Sequence, residues 1–555
     1  MGVYLSPGVY VKETDLSSII PAVATTSAAL VGYSKKGTLD VKLVTNRQAF
    51  INEYGEPEAG NYFHYTALAF LEKGSALYCK RVVGSAALYG GIDIYADGEG
   101  SNDGFSAGQS EQTFYHGSGE EYVLFSVFAK DPGAWSDNVF IRIANVNDLY
   151  YNQDTDYLIG SDDEPAKYTF DIEVWYKDTN GVYTRVESWK VSRKTKIDGY
   201  GKQLYLETKI NDYSNYIYVV DNDDIADTVV PETTGQNDDG SSTAYDLTQM
   251  DGGLDSSATS SDFVTGWGDF ENPDDYDIRL LLEGGSGSVT VQNEMIRIAE
   301  ARADCFAILD TPYDSLASVD DMVTFRRDTL NANTSYAALY APWVRVNDPY
   351  NDKIVDIPPS GYVASQFAYN DYVSETWNAP AGFNRGLLNV LAITSIFDKG
   401  ERDTLYQYQI NPLQTFRGEG NVIWGQKTLQ KKASALDRVN VRRLLIVIEK
   451  SISIALRYFT FEPNSDFTRF KVVAITTEYM NTLASRGAFQ TEAGDSGFSI
   501  LCDSTNNTSA VIDMNELHVD IFIKPIRAAE FIQLQAIITN SGASFNELIS
   551  RGTFL

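Results

Sequence analysis

The chain has 555 residues, of which 43% are hydrophobic and 12% aromatic, and it carries a formal net charge of −32. This length predicts several domains, the apolar content excludes extensive disorder, and the charge argues against binding to nucleic acid or to an anionic membrane surface. The three cysteines are far apart and odd in number, so we expect no disulfide framework.

Residues 1–20 are predicted to form an extended arm. Val9 and Val11 alternate with Tyr10, and the preceding Pro7-Gly8 prevents a helix. A basic region followed by an apolar run is missing, so we do not predict a secretory signal. A single strand of this kind cannot bury itself and needs a sheet edge to join.

Residues 22–89 are typical of part of an α/β layer. The runs "AALVGYS" and "ALYCKRVV" predict buried strands. Between them, "NRQAFINEYG" and "YFHYTALAFLEKGS" predict helices that end at Gly55 and Gly74. The order strand–helix–helix–strand favours an α/β architecture.

Residues 90–255 differ, because alternating runs separated by Gly, Asn and Asp replace the helical pattern. Such runs predict a β-sandwich or a β-barrel. No Lys or Arg occurs between Lys209 and Arg279, which indicates an acidic, solvated outer surface. The predicted strands are "EYVLFSVFAK", "NVFIRIANV", "YTFDIEVWYK", "VYTRVESWKV" and "NYIYVV".

The α/β order returns over residues 256–417. The strand "RLLLE", a Gly/Ser turn, a helix from Ser288 to Ala303 and the strand "CFAILD" predict a βαβ unit. The next helix is "VDDMVTFRRDTLN" and the next strand is "SYAALYAPWVRV". We therefore expect a parallel sheet with helices on its faces.

The last part of the chain has an α+β pattern. Two long helices are predicted, and the second ends at Gly487; they are "VNVRRLLIVIEKSISIALRYFTFE" and "FTRFKVVAITTEYMNTLASRGAF". The strand "ELHVDIFIKPI" places Val519, Ile521 and Ile523 on one face, and "EFIQLQAII" is another alternating strand. Both chain ends therefore resemble strands.

Two glycine-rich stretches approach phosphate-binding motifs without completing them. In "GNVIWGQKT", Gln426 separates Gly425 from Lys427, whereas a P-loop places Lys directly after the second glycine. In "LLLEGGSGSVT", Thr290 stands where the dinucleotide fingerprint has its third glycine. A tight turn without a ligand is the favoured interpretation of the second stretch.

Hydrolase and metal chemistry are not predicted either. The three histidines, His64, His116 and His518, lack companion motifs, and Ser288 stands where a nucleophile elbow needs glycine. The chain has no C-x-x-C motif, and "DNDDIAD" lacks the glycine and final glutamate of an EF-hand loop. We therefore expect no catalytic residue, no cofactor and no dedicated metal site.

A basic segment stands out from this acidic background. Basic residues outnumber acidic ones between Lys427 and Arg469. This asymmetry fits a helix face that is solvated or paired within the chain, and it also fits a docking face for an acidic protein partner. The residues considered for docking are Lys431, Lys432, Arg438, Arg442 and Arg443.

Several longer motifs occur in a specific order. They are "SPGVYVKE", "DPGAWSDNVFIRI", "SYAALYAPWVRVNDPYNDKIVDIPPSGYVA", "WNAPAG", "INPLQTFRGEGNVIWGQKTL", "VNVRRLLIVIEKSI", "FEPN" and "IFIKPIRAAEFI". In this joint order the chain resembles the contractile tail sheath proteins of phages and of phage-tail-like injection systems. Two local departures, "PGAWSD" and "RAAEF", stand where the family commonly has other turn sequences.

The resemblance implies a multidomain α/β and β fold. Its segments are expected to be an N-terminal strand-donating arm (1–21), the first part of an α/β core (22–89), an inserted outer acidic β-sandwich (90–255), a subtilisin-like α/β domain without catalytic residues (256–417), an inner α+β domain (418–529) and a C-terminal strand-donating arm (530–555). It also implies that "GNVIWGQKT" binds no nucleotide.

For function, the resemblance implies a structural subunit, not an enzyme. Such subunits stack as hexameric rings around an inner tail tube and contract from a metastable extended state, which drives the tube through the host envelope for genome delivery. The arms add strands to neighbouring subunits, and Val9, Tyr10, Val11, Ile532, Leu534 and Ala536 are expected to do so. The basic residues Lys431, Lys432, Arg438, Arg442 and Arg443 are expected to face the tube.

The implied partners are other copies of the chain, the tube protein, and the baseplate and tail terminator proteins, without direct nucleic-acid contact or membrane insertion. The implied location is the virion tail, after assembly in the host cytoplasm. One alternative is the sheath of a bacterially encoded phage-tail-like injection system. A surface-layer protein would need an export signal, and a nucleotide enzyme or hydrolase would need an intact P-loop or a triad.

Overall fold

The computed structural model describes residues 26–96, 100–101, 109–113, 123–147, 168–178, 180–195, 197, 201–227, 229–231, 247–492 and 494–531. The strands, in chain order, are β1 (Ala28–Tyr33), β2 (Lys42–Val44), β3 (Leu77–Val82), β4 (Gly91–Tyr95), β5 (Gly100–Ser101), β6 (Val123–Ala129), β7 (Val139–Asn147), β8 (Thr169–Lys177), β9 (Tyr183–Val191), β10 (Ile217–Asp221), β11 (Thr248–Gln249), β12 (Leu280–Leu282), β13 (Phe306–Asp310), β14 (Ala337–Ala341), β15 (Val344–Asp348), β16 (Lys353–Ile357), β17 (Leu387–Leu388), β18 (Ala392–Ile393), β19 (Ile410–Phe416), β20 (Gly420–Ile423), β21 (Phe498–Leu501) and β22 (Asp520–Ile523).

The helices are α1 (Arg47–Tyr54), α2 (Tyr62–Phe70), α3 (Leu206–Asn211), α4 (Ser260–Gly268), α5 (Val289–Arg302), α6 (Val319–Thr324), α7 (Ser360–Val373), α8 (Lys399–Gln407), α9 (Val439–Leu456), α10 (Asp466–Ser485) and α11 (Ser509–Asp513). A π-helical stretch, Phe325–Leu330, continues α6.

The largest sheet is mostly parallel. It has nine strands in the order β17-β20-β19-β14-β13-β12-β1-β3-β2. The strands from β19 through β3 run parallel to their neighbours, whereas β2, β20 and β17 are antiparallel. The predicted parallel sheet is therefore confirmed, and it joins strands from before and after the β-rich region.

Both faces of this sheet are covered by helices. Successive residues of a strand point to opposite faces, so Leu30 and Val31 in β1 belong to different cores. The Leu30 face packs against α1, α2 and α7, and the Val31 face packs against α4, α5, α6 and α8. This double burial explains why the strands read as continuous apolar runs.

Local signals place several helix ends. The side chain of Asn46 accepts a hydrogen bond from the N–H of Ala49 at 2.8 Å and begins α1. Gly55 follows α1 with φ +87°, and Gly487 follows α10 with φ +83°, a backbone region that favours glycine. The predicted ends at both glycines are confirmed, whereas α2 ends at Phe70, before a turn that reaches Gly74.

The β-rich region consists of two antiparallel four-stranded sheets. Their strand orders are β10-β6-β4-β5 and β11-β7-β8-β9. Buried side chains of both sheets, such as Phe125 and Ile172, belong to one cluster, so the sheets share a core. The helix α3, which the sequence did not predict, packs on this core through Leu206 and Ile210.

Two antiparallel chain segments connect the β-rich region to the large sheet. The N–H of Gly84 donates to the oxygen of Ser256 at 3.0 Å. Leu88 and Leu254 exchange two backbone hydrogen bonds, at 3.0 and 3.1 Å. The chain therefore enters and leaves the β-rich region side by side.

One predicted strand is two strands. Pro342 has no N–H to donate, and the run "SYAALYAPWVRV" divides there into β14 and β15. Strand β14 belongs to the large sheet, whereas β15 joins a three-stranded sheet in the order β16-β15-β18.

The C-terminal unit has the predicted α+β content. Helices α9 and α10 pack with a two-stranded sheet, β21-β22, around Leu444, Ile448, Met480 and their neighbours. Ile521 and Ile523 of β22 pack against this cluster, as their predicted common face requires. The expected border at residue 418 falls inside the β19-β20 hairpin, which still belongs to the large sheet.

Candidate assembly surfaces

The stretch "GNVIWGQKT" forms a packed turn. Gly420–Ile423 is strand β20, and Nζ of Lys427 donates to the backbone oxygen of Tyr406 at 2.8 Å. A Cβ atom at Gly425 would lie 2.9 Å from the side-chain oxygen of Asn411, so this backbone already touches its own chain. The packing agrees with the interpretation that the likeness to a P-loop is accidental.

The glycine-rich turn after β12 binds carboxylates of the chain itself. The N–H of Gly287 donates to Glu283 at 3.2 Å, and the N–H of Gly285 donates to Asp310 at 3.1 Å. Both carboxyl groups are buried, and burial raises the pKa of each of them. A phosphate would need these amides, which are already engaged, so the turn has a structural role.

Neither of the two histidines in the described ranges forms a catalytic group with an exposed nucleophile. His64 lies 3.3 Å from the hydroxyl of Ser34, but both residues are buried in the core, and burial lowers the pKa of His64. His518 is exposed and lies 2.8 Å from Glu516. His116 lies outside the described residues.

Metal-binding clusters and membrane-spanning helices are absent from the described part of the chain. Over those residues, no group of three or more His, Cys, Asp or Glu could hold a metal ion. Asp221, which opens "DNDDIAD", instead pairs with the buried Arg193 at 2.7 Å. Within the same ranges, no helix combines the length and hydropathy needed to cross a membrane.

The basic residues of α9 contact other parts of the same chain, and Arg442 donates to the hydroxyl of Ser335 at 2.7 Å. Arg442 and Arg443 are only 6% and 4% exposed. Both terminal nitrogens of Arg443 donate to Asp371, at 3.0 and 2.5 Å. Lys450, farther along α9, pairs with Asp304 at 2.6 Å. The expectation that Arg442 and Arg443 belong to an exposed patch is therefore corrected, since they join the C-terminal unit to the α/β core.

The other three basic residues have different environments. Arg438 is partly buried and donates to Glu530 at 2.7 Å. Lys431 and Lys432 are exposed, and Nζ of Lys431 donates to the backbone oxygen of Asn331 at 3.2 Å. Only the two lysines of the predicted patch therefore lie on an open surface.

The predicted N-terminal arm (1–21) lies outside the described residues, which begin at residue 26 and end at residue 531. Of the predicted C-terminal arm (530–555), only Glu530 and Phe531 are described. Strand donation by the arms thus stays a prediction. The residues concerned are Val9, Tyr10, Val11, Ile532, Leu534 and Ala536.

The sheet β21-β22 offers edges to which such strands can add. The N–H of Lys524 donates to the oxygen of Gly497 at 2.8 Å, so this N–H lies on the side of β22 that faces β21. Backbone groups of an antiparallel strand alternate between its two sides, which directs those of Ile521 and Ile523 to the outer edge of β22. In the described ranges neither residue bonds to a further strand. Two strands alone form a marginal sheet.

Exposed apolar side chains mark further surfaces. Phe383, Phe416 and Trp424 form a cluster beside β20, with ring centroids 4.6 to 5.2 Å apart. Phe383 and Trp424 are 43% and 39% exposed. In the C-terminal unit, Phe470 of α10 and Phe522 of β22 are exposed as well. Clustered apolar side chains at a surface are typical of contacts with another protein.

Arg81, which joins the β-rich region to the core, has no recognisable signal in the sequence. Arg81 of β3 is 1% exposed and donates to four backbone oxygens at 2.7 to 2.9 Å. Three acceptors lie at Ser34–Gly37, and the fourth is Pro132 of the β-rich region. The run "ALYCKRVV" does not predict this role, because the carbonyls that Arg81 binds lie far from it in the sequence.

Comparison with known proteins identifies the family. Residues 259–429 match the model of the phage tail sheath protein central domain, and residues 431–539 match the phage tail sheath C-terminal domain. The chain is 27% identical to the tail sheath protein of Enterobacteria phage T4, over 98% of this chain and 99% of that protein. It is 34% identical to the tail sheath protein of Vibrio phage KVP40, over 54% of this chain and 47% of that protein.

Solved structures agree in fold. The contracted sheath complex of an extracellular contractile injection system matches with a TM-score of 0.53 and 15% identity, over 97% of this chain and 98% of that chain. The sheath tail protein of Listeria innocua matches with a TM-score of 0.55 and 12% identity, over 87% of this chain and 90% of that chain. The mixed α/β multidomain fold is thus that of sheath proteins, and the chain belongs to the phage tail sheath family of structural proteins.

Proposed function

We propose that this chain is the subunit of a contractile tail sheath, in which copies stack as hexameric rings around an inner tube. The observation that carries the proposal is the two-stranded sheet β21-β22, which has open edges in a chain whose ends are predicted strands. The open edge of a strand is a template on which another chain can add a strand. Neighbouring subunits would supply these strands through residues 1–21 and through the part of the predicted arm 530–555 that follows Phe531.

Strand addition would give both affinity and register. Backbone hydrogen bonds at the outer edge of β22 supply affinity, each contributing about 1 kcal/mol net. Alternate side chains select the register, because a shift by one residue exchanges the two faces of the added strand. Val9, Val11, Ile532, Leu534 and Ala536 would face the receiving core, with Tyr10 on the opposite side.

Contraction would proceed from a metastable extended state without a chemical fuel. Each subunit would move nearly as a rigid body and bury new surface against its neighbours. The buried contact between Arg443 and Asp371 supports this view, since it ties the C-terminal unit to the α/β core within one subunit. The exposed Phe383 and Trp424 are candidates for the surface that neighbours cover.

The segments would then have distinct positions in the sheath. Residues 22–89 and 256–417 would form a subtilisin-like core without catalytic residues, and residues 90–255 an outer β-sandwich. The C-terminal unit, with the predicted bounds 418–529, would lie nearest the tube. Of the predicted basic patch, only Lys431 and Lys432 have the exposure for tube contact. Baseplate and terminator proteins would cap the sheath of the virion tail, which would assemble in the host cytoplasm.

The sheath of a bacterially encoded phage-tail-like injection system is the second candidate. The structural likeness to an injection-system sheath extends over 97% of this chain, so the fold suits either particle. Capsid genes next to this gene would favour a phage tail, and their absence would favour an injection system.

Electron microscopy of the purified protein tests the proposal. The full-length chain should form long hollow tubes with a regular helical lattice. Variants that lack residues 1–21 or 532–555 should stay as folded monomers with unchanged thermal midpoints. A double substitution, Val9→Asp with Val11→Asp, should act like the first deletion, and Tyr10→Asn is the matched control. Regular tubes from the deletion variants would contradict strand donation.

A further inference from the structure

The last described residues are held by one side chain. The final backbone–backbone hydrogen bond of this part of the chain runs from the N–H of Ile526 to the oxygen of Ala488, at 3.1 Å. Within the described ranges, residues 527–531 make no backbone–backbone hydrogen bond, and Phe531 is 82% exposed. Glu530 differs from its neighbours because its carboxylate enters a polar site.

Three donors from separate segments meet this carboxylate. Nε of Arg438 and Nε2 of Gln426 donate to Oε1 of Glu530, at 2.7 and 3.0 Å. The hydroxyl of Tyr406 donates to Oε2 at 2.9 Å. The side chains of Glu530 and Arg438 are 17% and 25% exposed, so the contact is partly shielded from water.

The donors are themselves fixed by neighbouring groups. Arg438 also pairs with Asp437 at 3.0 Å, and it begins helix α9. Lys427 donates to the backbone oxygen of Tyr406, and its Nζ lies 4.4 Å from the centroid of the Tyr406 ring. The site therefore exists on the core side, and Glu530 brings the C-terminal segment to it.

We propose that Glu530 is a positioning residue that sets where the C-terminal arm leaves the subunit. This role rests on the proposed donation of that arm to a neighbouring copy. Without the carboxylate, the last fixed point of the chain would move back from Glu530 to Ile526. Four released residues span up to about 14 Å, at about 3.4 Å each. Adjacent strands lie only about 4.8 Å apart, so the arm could miss its edge.

The first experiment measures local release in the full-length protein, diluted until electron micrographs show no tubes. Trypsin cleavage after the exposed Arg527 is followed by mass spectrometry of the fragment that ends there. Glu530→Ala should increase this cleavage rate at least tenfold without changing the thermal midpoint, and Glu530→Gln should give an intermediate rate. Glu419→Ala, at an exposed carboxylate, is the matched control. Cleavage of Glu530→Ala at the wild-type rate would overturn the proposal.

The second experiment measures assembly by electron microscopy. Glu530→Ala should give short or irregular tubes, and a chain that ends at residue 531 should give none. If the truncated chain forms normal tubes, arm donation is wrong, while the trypsin result still decides whether Glu530 holds the segment. If truncation abolishes tubes but Glu530→Ala assembles normally, the positioning role is wrong and the proposed function stands.

Discussion

The ion pair between Arg443 and Asp371 gives a sharp test of the assignment of α9 to the interior. The substitution Arg443→Ala removes a guanidinium that donates to both carboxylate oxygens, at 3.0 and 2.5 Å. It leaves Asp371, whose side chain is 2% exposed, without this partner. A buried charge left unpaired costs about 3 to 5 kcal/mol, and the guanidinium also stacks over Phe367 at 4.8 Å.

The matched control is Arg486→Ala. Arg486 also donates to both oxygens of an acidic residue, Glu375, at 2.8 and 2.7 Å, but its side chain is 50% exposed. An exposed pair contributes about 0 to 1 kcal/mol. The two substitutions therefore remove the same kind of contact at very different burial.

The assay is urea denaturation of the monomeric protein, followed by tryptophan fluorescence and by circular dichroism. We expect Arg443→Ala to lower the free energy of unfolding of the C-terminal unit by about 3 kcal/mol, and Arg486→Ala by less than 1. Replacing both partners, Arg443→Leu with Asp371→Leu, should recover most of the loss. Equal effects of the two single substitutions would refute the view that burial makes this pair structural.

Four further predictions concern other parts of the chain. Burial raises the pKa of Asp131 from 3.8 to about 6. The stability that this carboxyl group contributes is therefore complete below pH 4 and is lost as the pH rises through 6. In unfolding titrations, Asp131→Asn should remove about 3 kcal/mol of this pH dependence. Arg81→Lys should cost about 3 kcal/mol, measured by denaturation, because one ammonium cannot serve four carbonyls. Reversing the charge of Lys431 and Lys432 should block ordered assembly on a purified tube in electron micrographs, with the monomer still folded. Trp424→Ser should reduce tube formation in light scattering, and circular dichroism should show that the monomer stays folded although it loses the ring contacts with Phe383 and Phe416.

Regular elements of the core could be predicted because their signals are local. Helix α5 carries apolar residues at helical spacing after a Gly/Ser turn, and α10 ends beside Gly487. The parallel strands read as apolar runs because helices cover both faces of the sheet. Helix α3 was missed because "LETKIN" is too short to show a period within a strand-rich region.

The candidate site was harder to predict because its contacts join distant parts of the chain. Asp371 lies 72 positions before Arg443, so the basic pattern of α9 could not show which charges were already paired. The internal pairing that the sequence left open proved to be the environment of Arg443, whereas the buried Arg442 donates to the hydroxyl of Ser335. Arg81 binds carbonyls on several segments of the chain, and Glu530 binds donors on several segments. The residues of such sites have no fixed spacing in the sequence, so no motif predicts them.

The side-by-side connection at Gly84 and Ser256 has a practical consequence. Because the insertion starts and ends at one pair of adjacent backbone segments, its replacement by a short hairpin would leave the spacing of the flanking elements β3 and α4 unchanged. The same junction would accept a foreign domain whose termini lie close together. In the proposed sheath every copy of such a chimaera would carry the foreign domain, which makes this junction a candidate grafting point.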